Sequence, residues 1–115
     1  MANSVLIVED SASIALGYAA QLQSAGHKVD VSETLADAQA ALKRSDFDVV
    51  LLDLQLPDGN GMDLMKAGSS GDKPAPAFII VTADGSLARA IDAMRLGAYD
   101  FLVKPVAGER LLTTV

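Results

Sequence analysis

Cysteine is absent from this chain of 115 residues, which excludes a disulfide framework, a thiolate metal site and a cysteine nucleophile. There is also no apolar stretch long enough to span a membrane. The N-terminus lacks the charged segment and long apolar run of a signal peptide. We therefore expect a cytoplasmic protein that does not contact a membrane.

Basic residues are few and scattered. The chain has 9 Lys and Arg against 15 Asp and Glu, a formal net charge of -6. Without a basic stripe, direct nucleic-acid binding by this segment is not expected. The acidity fits an ordinary soluble surface together with a local cation site. Since 50% of the residues are hydrophobic, the chain can form the core of one domain.

Short apolar runs alternate with amphipathic helical patterns, which is typical of βαβ units with a parallel sheet buried on both faces. The predicted strands are 4–8, 29–31, 47–52, 77–82 and 100–103, and the predicted helices are 13–25, 35–44, 62–67, 86–96 and 107–115. The amphipathic pattern of the last helix continues to the final residue. We therefore expect one domain, 1–115, which is either the N-terminal part of a longer polypeptide with its last helix truncated or a domain with an unusually short last helix.

The helical patterns also predict which side chains face the sheet. The residues expected to face inward are Ile14, Tyr18, Leu22 and Ala25 in the first helix, Leu35, Ala38 and Leu42 in the second, and Leu87, Ile91 and Met94 in the fourth. Thr34 is expected to cap the second helix. The Pro and Gly residues of 54–61 predict a tight loop without regular structure.

Charged and hydroxyl side chains lie at the carboxyl ends of four of the predicted strands: Glu9 and Asp10, then Asp53, Thr82 and Lys104. In an open parallel sheet the carboxyl ends of the strands share one edge, and ligands bind there. A carboxylate can accept a phosphoryl group to give an aspartyl-phosphate. Asp53 is therefore the candidate phosphoacceptor, with an ordinary turn aspartate as the alternative.

Three carboxylates at one edge repel each other unless a cation binds or one of them is protonated. Mg²⁺ suits the site because it prefers oxygen ligands, keeps several waters and bridges to phosphate. We predict Asp10 and Asp53 as direct ligands and the Gln55 backbone carbonyl as a further one, with Glu9 nearby or bound through water. The alternative for Glu9 and Asp10 is an N-terminal cap on the following helix, and both interpretations can hold together.

Lys104 and Thr82 are the candidates for contacting a phosphoryl group. Lys104 precedes Pro105 and should stay extended, and a cis Lys104-Pro105 bond would hold its ammonium over the site. Thr82 could donate its hydroxyl to a phosphoryl oxygen. The alternative for Lys104 is a solvated surface lysine, and the alternative for Thr82 is an ordinary β-branched residue at a strand end.

The chain resembles the receiver domain of bacterial two-component response regulators over essentially its whole length. The residues that carry this resemblance are Glu9-Asp10, Asp53 with Pro57 and Gly61, Thr82-Ala83, and Lys104-Pro105. Residues 93–105 are further similar to receivers of NtrC-type regulators. The resemblance implies an α/β fold, a flavodoxin-like three-layer sandwich with a five-stranded parallel sheet in the order 2-1-3-4-5 and five helices.

The resemblance also implies a function in signalling, without enzymatic activity beyond self-phosphorylation and self-dephosphorylation. A sensor histidine kinase or phosphotransfer protein would donate the phosphoryl group to Asp53, with Mg²⁺ or Mn²⁺ as cofactor. Thr82 and Lys104 would sense it, and Phe101 would move with Thr82. Gln55 and Asp84 would tune the lifetime of the phosphate.

Phosphorylation would then change the surface of the fourth helix, fifth strand and fifth helix. This surface would control either a C-terminal output domain that regulates transcription or the formation of a homodimer. Three alternatives remain. A phosphohydrolase would need an acid where Gln55 stands, and an FMN module would suffer repulsion from Glu9 and Asp10. The third is a receiver that no longer accepts phosphate.

Overall fold

Five strands form one parallel sheet in the computed structural model, which describes residues 3–68, 76–83 and 87–104. In chain order the elements are β1 (Ser4–Val8), α1 (Ala12–Ser24), β2 (Lys28–Ser32), α2 (Leu35–Arg44), β3 (Val49–Leu52), β4 (Gln55–Leu56), β5 (Gly59–Asn60), α3 (Met62–Gly68), β6 (Ala77–Thr82), α4 (Leu87–Arg95) and β7 (Asp100–Val103). The sheet order is β2-β1-β3-β6-β7. This confirms the predicted order, because β4 and β5 form a separate small hairpin.

Parallel pairing aligns the ends of the strands. Val8 of β1 lies opposite Leu52 of β3, and Leu52 lies opposite Ile80 of β6. β1 and β3 are therefore neighbours whose carboxyl ends stop side by side. The residues that follow these strands, Glu9 and Asp53, lie at the same edge of the sheet.

Alternate residues of β1, β3 and β6 enter two separate cores, one on each face of the sheet. The α1-side core consists of Val5, Ile7, Ala15, Ala19, Leu22, Val49, Leu51, Ile79, Val81 and Leu102. The opposite core, which we call the α2-side core, combines the other strand residues with side chains of α2, α3 and α4. Helices thus cover both faces, which is the predicted three-layer arrangement and explains why the central strands are continuous apolar runs.

The predicted inward face of α1 is partly wrong. Its buried residues are Ala15, Ala19 and Leu22. Ile14 and Tyr18 are only half-buried, and Ala25 is exposed. Small alanine side chains let the helix lie close to the sheet, so the larger residues are displaced to the flank of the contact.

The predicted inward face of α4 is wrong. Leu87, Ile91 and Met94 are exposed to 75%, 42% and 51%. The helix contacts the α2-side core through Ala93, which is fully buried. Because successive residues of a helix are rotated by about 100°, the contact through Ala93 turns the predicted face away from the sheet.

Residues 54–61 were predicted to be a loop, and here the prediction is also wrong. Gln55 pairs with Asn60 and Leu56 with Gly59 in an antiparallel hairpin closed by Pro57 and Asp58. Strands of two residues are too short to carry a hydrophobic period, so no pattern predicted them.

Three predictions fall outside the described residues: the fifth helix at 107–115, the Lys104-Pro105 bond and the role of Asp84. Within the described part of the chain, none of the helices has both the length and the apolarity needed to cross a membrane.

Candidate functional site

The acidic residues predicted from the strand ends form one cluster. Glu9, Asp10 and Asp53 each place a carboxylate oxygen within 4.8 Å of the others. Their backbone is held by the sheet, since the Asp53 N–H donates to the Val8 carbonyl at 3.0 Å and the Glu9 N–H to that of Ser32 at 3.0 Å. Glu9 and Asp53 are buried and Asp10 is exposed, so the cluster opens to solvent on the Asp10 side.

Lys104 joins this cluster from the end of β7, two strands away from β3. Its Nζ donates to Asp53 Oδ2 at 2.8 Å and to Glu9 Oε1. Its backbone N–H donates to the Thr82 carbonyl at 2.8 Å, which holds the start of the side chain at the strand end. The alternative of a solvated surface lysine is therefore wrong, because only 15% of this side chain is exposed.

The electrostatics of the cluster reflect its burial. Burial raises the pKa of Glu9, and hydrogen bonds from Lys104 and from the Ser11 N–H only partly offset this effect. For Lys104, burial alone would lower the pKa, but the hydrogen bonds to Asp53 and Glu9 raise it overall. The ammonium therefore stays charged. The ammonium contacts Glu9 and Asp53, and Asp10 adds a third carboxylate beside them, so the cluster retains an excess of negative charge that favours a cation.

The donor set fits a hard divalent cation. Carboxylate oxygens are the ligands that Mg²⁺ prefers, and exposure of Asp10 leaves room for the waters that Mg²⁺ retains. The Gln55 N–H donates to Asp53 Oδ1 at 3.0 Å, so the backbone of residue 55 lies directly beside the candidate acceptor. The Gln55 side chain itself is exposed.

Thr82 and Phe101 lie on the strands beside the cluster. Thr82 ends β6 and is fully buried. Phe101 is half-buried and packs against the α2-side core. Their sensing and switching roles stay predictions, as do the ligand and acceptor roles of the acidic residues.

Sequence reasoning named Gly61 only as part of the family resemblance and missed Asn60, and it found the supporting role of neither residue. A Cβ on Gly61 would lie 2.3 Å from the Asp53 carbonyl oxygen, so only glycine fits there without a shift. Asn60 Oδ1 accepts a hydrogen bond from the Met62 N–H at 2.9 Å and so supports the start of α3. The Asn60-Gly61 pair is a recognised turn signal, but it does not indicate that the turn folds back onto Asp53.

Comparison with known proteins places this geometry in a family. Residues 5–115 match the response regulator receiver domain family. The regulatory protein LuxO of Vibrio vulnificus is 42% identical over 109 residues, covering 95% of this chain and 24% of LuxO. The alginate biosynthesis transcriptional regulatory protein AlgB of Pseudomonas aeruginosa is 36% identical over 107 residues, covering 93% of this chain and 24% of AlgB.

A solved structure gives the same result. The crystal structure of a signal receiver domain of a LuxO repressor protein from Vibrio parahaemolyticus superposes with a TM-score of 0.92 at 37% identity, covering 99% of this chain and 87% of that one. This chain spans 24% of the length of the two curated relatives named above, and both are regulators of the NtrC type. The chain therefore belongs to the family of response regulator receiver domains, most like those of NtrC-type regulators.

Proposed function

We propose that this domain accepts a phosphoryl group on Asp53 from a sensor histidine kinase or a phosphotransfer protein. The observation that supports the proposal is the convergence of Glu9, Asp10 and Asp53 within 4.8 Å, with Lys104 paired to Asp53 Oδ2 at 2.8 Å. A carboxylate nucleophile, oxygen ligands for a divalent cation and a fixed ammonium are what phosphoryl transfer needs.

In this reaction an Asp53 carboxylate oxygen forms a bond to phosphorus, and the bond between phosphorus and the donor nitrogen breaks, with its electron pair leaving on the donor. Asp10, Asp53 and the Gln55 carbonyl would hold the cation. When bound, Mg²⁺ or Mn²⁺ supplies positive charge against the phosphoryl oxygens. The Gln55 N–H orients Oδ1 of Asp53, while Lys104 neutralises the other carboxylate oxygen and stays within reach of the arriving group.

The phosphoryl group adds negative charge and strong acceptor oxygens at the end of β3. Thr82 and Lys104 would bond these oxygens and sense the modification. In this proposal the end of β6 shifts and brings the hydroxyl of the fully buried Thr82 to these oxygens. Phe101 has no hydroxyl, so its part in the switch would depend on packing alone. Differential contacts in the two states then shift the population.

The surface of α4 and β7 is the proposed output of this switch. Its exposed large apolar side chains are Leu87, Ile91, Met94 and Val103, with Leu96 and Tyr99 between the two elements. An apolar face of this kind favours a protein partner. The relatives are about four times longer than this chain, so the proposed partner is an output domain that regulates transcription, with a second receiver as the other candidate.

Acetyl phosphate with Mg²⁺ tests the central proposal. We expect intact-mass analysis to find one added phosphoryl group on the wild-type chain and none on Asp53→Asn. The matched control is Asp30→Asn, which changes an exposed aspartate on the edge strand β2 and should behave like wild type. If neither acetyl phosphate nor beryllofluoride with Mg²⁺ elicits a response from the wild type, the domain is an inert receiver and the proposal is wrong.

Two further measurements separate the alternatives. Sustained turnover of a small phosphate ester that depends on Asp53 would support a phosphohydrolase. A yellow purified protein with flavin absorbance would support an FMN module. The proposed signalling domain predicts neither result.

A further inference from the structure

The turn of the β4–β5 hairpin is bonded to a helix that lies outside the site. Asp58 Oδ1 accepts a hydrogen bond from the Leu35 N–H at 2.7 Å, and its Oδ2 accepts one from the Ala36 N–H at 3.0 Å. Leu35 and Ala36 are the first two residues of α2. A carboxylate that uses both oxygens on adjacent N–H groups restricts the orientation of the turn as well as its distance from the helix.

Asp58 satisfies N–H groups of α2 that the helix cannot satisfy itself. The residue preceding the helix, Thr34, caps a different group, because its Oγ1 accepts from the Asp37 N–H at 3.1 Å. The N–H groups of Leu35 and then Ala36 lower the pKa of Asp58, as expected for a carboxylate at the positive end of a helix dipole. Thr34 and Asp58 thus cap the same helix end, but only Asp58 connects it to the hairpin.

The other end of the hairpin lies at the candidate cation site. Gln55 pairs with Asn60 across the hairpin, and the Gln55 N–H donates to Asp53 Oδ1. At the tip, Gly59 lies so close to α2 that a Cβ on it would be 3.3 Å from Leu35 Cδ2. The hairpin therefore forms a continuous connection from the N-terminus of α2 to the backbone of residue 55.

We propose that Asp58 is a positioning residue, which holds the β4–β5 hairpin on α2 so that the Gln55 backbone carbonyl is placed to bind the divalent cation. This inference rests on the proposed function, because it assumes that the carbonyl is a cation ligand. Groups that orient metal ligands without touching the metal typically change its affinity by about 10- to 100-fold when they are removed. Asp58 would accordingly set the affinity of the site for Mg²⁺ without contacting it.

Titration of the full 115-residue chain with MgCl₂ by isothermal calorimetry tests the inference. For Asp58→Ala we expect a Mg²⁺ dissociation constant raised about tenfold. Asp58→Asn keeps one acceptor oxygen, so its affinity should lie between those of Asp58→Ala and wild type. The matched control is Thr34→Ala, which removes a cap from the same helix end without touching the hairpin. It should lower the thermal midpoint as Asp58→Ala does but leave the Mg²⁺ affinity unchanged.

Three results would overturn the inference. The first is that wild type binds Mg²⁺ and Asp58→Ala binds it equally tightly. This result would refute the positioning role and leave the proposed function unaffected. The second is that Thr34→Ala loses as much Mg²⁺ affinity as Asp58→Ala, which would mean that loosening the start of α2 is sufficient to weaken Mg²⁺ binding. The third is absence of Mg²⁺ binding by the wild type, which would refute the proposed function as well. If circular dichroism shows that Asp58→Ala is unfolded, Asp58→Asn decides, and wild-type affinity in that variant refutes the positioning role.

Discussion

Replacing Gly61 by alanine would place a methyl group 2.3 Å from the carbonyl oxygen of Asp53 and 3.2 Å from its carbonyl carbon. Real Cβ atoms essentially never lie within 3.0 Å of such atoms, so one of the two backbone segments has to move. The backbone conformation is no obstacle, because Gly61 is not among the glycines with positive φ. The methyl group would also lie 3.0 Å from Leu52 Cδ1. One of the two backbone segments carries the candidate acceptor, Asp53.

The expected cost follows from these contacts. Forcing extra atoms into a well-packed region costs about 1–3 kcal/mol, and an obstructing backbone atom favours the upper end of that range. Replacing glycine returns about 0.4–1 kcal/mol by restricting the unfolded chain. We therefore expect the free energy of unfolding to fall by about 2 kcal/mol. Phosphoryl acceptance from acetyl phosphate should slow by about tenfold, since displacements near 1 Å can cost about 100-fold in rate.

Urea unfolding followed by circular dichroism measures the first effect, and time-resolved intact-mass analysis measures the second. Gly17→Ala is the matched control, because Gly17 lies within α1 and a Cβ there meets nothing within 4 Å. It should raise the free energy of unfolding by about 0.5–1 kcal/mol. Wild-type stability together with a wild-type acceptance rate in Gly61→Ala would refute the reasoning.

Three further predictions concern charge and packing. Lys104→Met leaves Glu9 and Asp53 as adjacent carboxylates without their ammonium, so the free energy of unfolding in Mg²⁺-free urea titrations should fall by about 2 kcal/mol. Added Mg²⁺ should stabilise this variant more than it stabilises wild type. An equal effect of Mg²⁺ on both proteins would contradict a site shared by the cation and the ammonium. The N–H groups of α2 hold the pKa of Asp58 below its ordinary 3.8, so the carboxylate stabilises the fold above that pH, and this stabilisation is lost as the pH falls through the folded-state pKa. The free energy of unfolding measured between pH 6 and pH 3 should therefore depend less on pH in Asp58→Asn than in wild type. An unchanged pH profile would refute the capping bond. Leu64→Ala empties a fully buried position in the α2-side core and should cost about 2–5 kcal/mol in the same assay, whereas a cost typical of an exposed site would contradict its burial.

The strand pattern was predictable because burial on both faces makes a strand a continuous apolar run. The bounds predicted for the strands at 4–8, 77–82 and 100–103 agree with β1, β6 and β7. Their alternation with helices predicted a parallel sheet, and parallel pairing puts the residues that follow each strand at one edge. Lys104 and Asp53 could therefore be assigned to one site although 51 positions separate them.

The orientation of α4 was not predictable from its sequence pattern. The periodicity of Leu87, Ile91 and Met94 correctly indicates an apolar face, and these residues are exposed. A helical period reports that such a face exists but does not indicate what covers it. The small Ala93 allows the closer approach to the core, so packing against the sheet determines which side of the helix is buried.

Taken alone, the amino-acid sequence determined the order of strands and helices, the edge of the sheet that carries the site and the residue types available there. These features could be predicted because local periodicity and strand ends depend on neighbours along the chain. Tertiary structure alone decided that Lys104 lies between Glu9 and Asp53, and that Asp58 bonds to the start of α2 across 23 positions. Such contacts depend on the distances and angles at which packed elements meet. These are determined by side-chain volumes on both faces of the sheet and are not encoded in any single segment.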